Sequence, residues 1–203
     1  MMRTLARFAP CVTAALAAVL AVQPARASVS LLLRYVELID ATRVAVVISP
    51  VRAESHWENG RIYTSTVARV DKVIAGRVEV GNEVTIRSLG GIVGDMGQSV
   101  EGEPAFDRDR PALVFLTLIP DGRYTVIGRA QGQYAVEHKL GLARVRASRQ
   151  TGTLLKRAAP IGPLSSEVLD KVGAPAFEKI EGKSLDELRA TFGSEWKRAH
   201  AEK

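Results

Sequence analysis

Cysteine is almost missing from this sequence: Cys11 is its only one, and it lies within the first 27 residues. The remainder therefore has no disulfide, no cysteine nucleophile and no thiolate zinc site, and its stability has to come from a packed core. Histidine is nearly as scarce. His56, His138 and His200 fall on three separate segments, without the close pair that announces a zinc site, so no metal is expected. There is no Gly-x-Ser-x-Gly elbow for a hydrolase. The glycines of "GGIVGDMG" fit neither a phosphate-binding nor a dinucleotide-binding loop, so no nucleotide cofactor is expected.

A long apolar run is missing as well. The longest, "CVTAALAAVLAV" at 11–22, is short for a bilayer span. It follows Arg3 and Arg7 and precedes Ala25-Arg26-Ala27, the pattern of a signal peptide cleaved between Ala27 and Ser28. The expected location is periplasmic or secreted, with no transmembrane segment in the mature chain.

The full chain carries a net charge of +6, and its first 27 residues hold three arginines and no acid. The rest holds 25 Lys and Arg against 22 Asp and Glu, a net charge of +3. Residues 28–138 have 12 basic against 14 acidic groups, and residues 139–203 have 13 against 8. A slightly acidic body with a basic tail argues against nucleic acid as a partner. In the basic stretch 139–157 no aromatic residue interleaves with the six Lys and Arg, so single-stranded nucleic acid has no stacking platform there.

What is present is β pattern. "SVSLLLRYVELID" (28–40) has Leu32, Tyr35, Val36 and Ile39 at helical spacing behind serine caps, and reads as a short amphipathic helix. "RVAVVISPV" (43–51) reads as a buried strand in which Pro50 marks a bend or an edge. Asn59-Gly60 is a strong hairpin signal, because a type I′ turn needs positive φ at both central residues. "RIYTSTVARVDKVI" returns as a long strand, and the spacing of Val67, Val70 and Val73 by threes calls for a bulge. "GNEVTIRSL" (81–89), "PALVFLTLIP" (111–120), "RYTVIGRA" (123–130), "QYAVEH" (133–138) and "LARVRAS" (142–148) follow as strands, with a loop at 91–110 and a second turn at Asp121-Gly122.

Short strands between turn signals predict a mainly β chain: a small, closed or partly open antiparallel barrel, its interior filled by its own side chains and its edges removed by closure. Residues 28–148 are the expected barrel domain with its leading helix. Residues 149–183, broken by Pro160, Gly162, Pro163 and Pro175, read as a linker, with one helical turn near "SSEVLDKV" (165–172). In 184–203, a capping box at Ser184 and Glu187 opens a C-terminal helix with Leu185, Leu188, Phe192 and Trp196 on one face, interrupted near Gly193.

Four segments carry a resemblance: "ENGRIYTSTVARVDKVIAG", "VTIRSLGGIVGD", "PALVFLTL" and "YTVIGRAQGQYAV". Together they resemble a family of exported bacterial proteins with no established activity, over roughly residues 30–140, and "SLDELRATF" resembles that family's terminal helix. More remotely, the strand order is similar to the netrin-like barrel of tissue metalloproteinase inhibitors, an OB-type fold. Those inhibitors chelate the protease zinc through an N-terminal cysteine. A mature chain starting at Ser28 has none, so the resemblance implies shape and not mechanism.

The functional expectation is an exported, non-enzymatic binding module whose partner is another exported protein or an envelope polymer. Trp57 reads either as an interface contact, with His56 and Glu58 beside it, or as a cover over one sheet face. Arg144, Arg146 and Arg149 are the candidate contacts to an anionic polymer. A protease-inhibitor-like or polyanion binder is the alternative, and a hydrolase the third option. The acidic loop with Asp95, Glu101, Glu103, Asp107 and Asp109 is open to calcium or to local ion pairs with Arg108 and Arg110.

Overall fold

The computed structural model describes residues 29–139, 141–149, 151–155 and 173–201. The expected signal peptide, its cleavage site and the helical turn near 165–172 lie outside the described residues.

The chain opens with β1 (Val29–Leu31), α1 (Tyr35–Ala41), β2 (Val44–Glu58) and β3 (Arg61–Ala75). It continues through β4 (Glu83–Leu89), β5 (Gly91–Val93), β6 (Met96–Gln98), β7 (Ala112–Leu118), β8 (Tyr124–Val126), β9 (Gln133–Lys139) and β10 (Leu142–Ala147). It closes with β11 (Thr153–Leu155), α2 (Ala176–Ile180), α3 (Leu185–Ala190) and α4 (Phe192–His200). Five strands form a closed barrel whose circuit runs β7-β2-β3-β4-β8 and back to β7. All its pairs are antiparallel except β4 with β8, which is parallel at Ile86 and Tyr124. This is the connectivity of an OB-type barrel.

Alternation assigns the two faces. On β2, Val44, Val46 and Ile48 point into the barrel, where they meet Val114 and Leu116 of β7, Val84 and Ile86 of β4, and Val70 of β3. Ala45 and Val47 point the other way, with Leu113 and Phe115, into a second core under the helices. β2 and β7 are therefore buried on both faces, which is why they read as unbroken apolar runs. Bulges repair the phase of the long hairpin. The register skips Asp71 and Ile74 on β3 and Val51 on β2, next to Pro50.

The leading helix is shorter than the sequence suggested. Residues 29–31 instead pair in parallel with β11. The helix is capped by Arg34 and Glu37: Glu37 accepts from the Arg34 backbone N–H at 3.1 Å and from its guanidinium at 2.7 Å. Ser30, the expected cap, receives a bond from Arg129 at 3.4 Å.

The expected C-terminal helix is present, and the stretch before it is more than a linker. The described parts of 149–183 hold β11 and α2, and Ala176, Ile180, Leu185, Leu188 and Phe192 belong to the second core with Leu38, Phe115 and Tyr134. Burial of the outward face of β2 and β7 requires this cover. The Ser184–Glu187 capping box forms as expected. The break between α3 and α4 falls at Thr191 rather than at Gly193. Trp196 docks by donating from its indole N–H to the Thr42 carbonyl at 2.8 Å.

β9 and β10 lie outside the closed circuit, as a wing on β7. Closure thus leaves an edge at β10, and residues 182–184 cover part of it: the Val145 N–H donates to the Lys183 carbonyl at 3.0 Å, and the Gly182 N–H donates to the Val145 carbonyl at 2.8 Å. The barrel is not filled throughout either. Loop 91–110 carries the β5–β6 hairpin and then folds over one barrel mouth, leaving a cavity of about 580 Å³.

Candidate functional site

The β2–β3 hairpin closes at Asn59 and Gly60, whose φ values of 50° and 74° are those a type I′ turn demands. It pairs Glu58 with Arg61, Trp57 with Ile62 and His56 with Tyr63. The alternation puts His56, Glu58 and Tyr63 on the outer face of the hairpin, while Trp57, opposite Ile62, stands on the other face near its end, 48% exposed.

The β3–β4 register then places Ser65 opposite Arg87, and this long-range pairing builds the site. Arg87 donates to Glu58 at 2.6 Å. Its guanidinium also lies 3.7 Å from the centre of the Tyr63 ring, a cation–π contact. Arg123, just after the Asp121-Gly122 turn, lies 3.7 Å from the other Glu58 oxygen and donates to Ser65 at 3.2 Å. Asp121 holds Arg123 from the side, accepting from its backbone and its guanidinium. This neighbour draws the Asp121 carboxyl below its ordinary range and raises Arg123. His56 completes the group, its Nε2 lying 3.5 Å from Glu58.

Glu58 is thus the hub of an ion network joining three strands and two turns. The arrangement fixes two arginines and an aromatic ring in place on the outer face of the hairpin. It is an ordered polar surface, and none of its groups is a nucleophile hydrogen-bonded to a base.

The other candidates separate from this site. Arg144 donates to the Gly182 carbonyl at 2.6 Å, and Arg146 pairs with Glu137 at 3.0 Å; both serve the edge of the wing. Arg149 is exposed. In the acidic loop Glu103 pairs with Arg129, and Asp107 lies 3.6 Å from Arg110. Among the described residues no group of three or more His, Cys, Asp or Glu converges as a metal site. No helix among them is long and apolar enough to cross a membrane.

Of the residues singled out from the sequence, His56 and Glu58 join this group and Trp57 lies on the opposite face; Tyr63, Arg87 and Arg123 were not singled out. Arg87 does occupy an outward position in the alternating "EVTIRSL", yet nothing local says which outward residues it meets. Only the strand register does.

No protein-family model matches the chain, and no curated protein and no solved structure matches it.

Proposed function

We propose that the chain is an exported, non-enzymatic binding module that engages another exported protein through the outer end of the β2–β3 hairpin. Export rests on the first 27 residues. The binding reading rests on one observation: Trp57 stands half exposed at the end of a hairpin whose opposite face carries the locked Tyr63–Arg87–Glu58 assembly. Tryptophan, tyrosine and arginine are the side chains that most often dominate protein interfaces, and ordering them beforehand lowers the entropy lost on association.

A photo-crosslinking residue at position 57 tests this in the native envelope, with one at Val80, exposed on the loop between β3 and β4, as control. A discrete protein adduct from position 57 and none from position 80 is expected. Adducts from neither site, or equally from both, would discard the proposal. In the purified protein Trp57→Ala should abolish capture of the identified partner while stability changes by less than about 0.5 kcal/mol.

A further inference from the structure

The barrel interior changes character along its length. Inward positions on β3 run Val70, Ala68, Thr66, and on β4 they run Val84, Ile86, Ser88. The apolar filling gives way to hydroxyls just where loop 91–110 crosses the mouth. Thr66 is 2% exposed and Ser88 8%. Both line the 580 Å³ cavity, and neither hydroxyl is among the buried polar atoms that lack a partner, so both open onto the cavity space. Two hydroxyls that open onto one polar space rather than onto a protein partner are available to whatever occupies it.

The covering loop is firmly held. Glu103 accepts from the Leu89 N–H at 3.0 Å and from Arg129 at 2.5 Å. The Gln133 side chain clamps Ala105 through both its N–H and its carbonyl. On the near side, Ser55 and Thr64 lie 2.9 Å apart, and Thr64 donates to the Gly90 carbonyl at 2.7 Å. The cavity is therefore preformed, and its volume lies within the roughly 300–1,000 Å³ of small-molecule sites.

We propose that this mouth binds a neutral polyhydroxy ligand, a sugar unit or a short saccharide, with the Thr66 and Ser88 hydroxyls at its floor. Hydroxyls both donate and accept, which matches the alternating demands of a sugar. No Lys or Arg lines the cavity. Its charged lining residues are Glu101 at the exposed rim and Glu103, already paired with Arg129, so an anion meets repulsion and no compensating cation. Phe106 and Val100 provide apolar walls for the carbon face of a ring. The site does not use the hairpin surface proposed above, and the two readings stand or fall separately.

The test is a titration of isotope-labelled full-length protein with cellobiose, with N,N′-diacetylchitobiose and with glucuronic acid, followed by backbone amide shifts. Saturable shifts centred on 64–66, 88–91 and 98–106 are expected for a neutral disaccharide, with a weaker response to the acid. Thr66→Val keeps the side-chain shape and should weaken binding about three- to tenfold while leaving the melting temperature unchanged or higher. Ser88→Ala gives a second, independent reading should Thr66→Val fold poorly. Shifts absent for both disaccharides, shifts centred on Trp57 and Tyr63, or affinity unchanged in the folded hydroxyl-deleted variants would each overturn the assignment and leave the cavity to water alone.

Discussion

Gly193, near the start of α4, lies so close to Ile74 at the end of β3 that a β-carbon added to it would sit 2.8 Å from the Ile74 carbonyl oxygen. The glycine does not interrupt the helix. It lets the helix lie directly on the bulged end of the long hairpin. Gly193→Ala should accordingly cost about 1–3 kcal/mol through overpacking. Gly97→Ala, where a new β-carbon meets only Ile92 at 3.8 Å, is the control and should change little. Denaturant unfolding of the two variants measures the difference; equal stabilities would mean that the helix is not seated there.

The Arg87–Glu58 pair calls for a double-mutant cycle. Glu58→Gln and Arg87→Met should each lower stability, and their combination should show a coupling of about 0.5–1.5 kcal/mol, since both side chains are only partly exposed. The coupling should shrink with salt. Purely additive effects would reduce the network to a surface coincidence.

Gly91 lies against the Ser55 and Thr64 hydroxyls, at a φ of 135°. Gly91→Ala should destabilise by about 1–3 kcal/mol, from backbone strain and steric collision together. Adding Ser55→Ala should restore only part of the loss, because the backbone strain remains. Thermal unfolding reads both.

Alkaline pH should unfold the protein through two tyrosines. Burial raises Tyr134, with the Glu181 charge adding to it. Tyr35 is raised by burial and then by Glu195. A phenol whose folded value lies above its ordinary value of 10.0 contributes stability in full below that value. The contribution is lost as the pH rises past it, when the unfolded chain releases protons that the folded one keeps. Stability should fall above pH 10, with part of the tyrosinate absorbance appearing only as the protein unfolds. Tyr134→Phe should blunt the loss and cost little at neutral pH, since the buried Tyr134 hydroxyl has no hydrogen-bond partner among the described residues.

Acid acts in the opposite sense. Asp121 is held below its ordinary value of 3.8 by Arg123, and Glu187 below 4.5 by the Ser184 cap. Their contributions are complete above those values and fade as the pH falls through them. The melting temperature should decline below about pH 4, less steeply in Glu187→Gln than in the parent chain; identical acid profiles would remove the cap from the account.

The amino-acid order by itself determined what short-range chemistry can decide. Asn59-Gly60 set the hairpin turn through its φ values, the threefold valine spacing announced the bulges on β3, Ser184 and Glu187 capped their helix, and the unbroken apolar runs marked β2 and β7 as doubly buried. The tertiary structure alone decided which strands closed the circuit and which became the wing. It also decided that the tail packs as the second core's cover, and that Arg87 meets Tyr63 and Glu58. The hollow mouth over Thr66 and Ser88 is of the same kind. Each of these depends on register between strands distant in sequence, where a shift of one residue turns every side chain to the opposite face, and no local pattern encodes that choice.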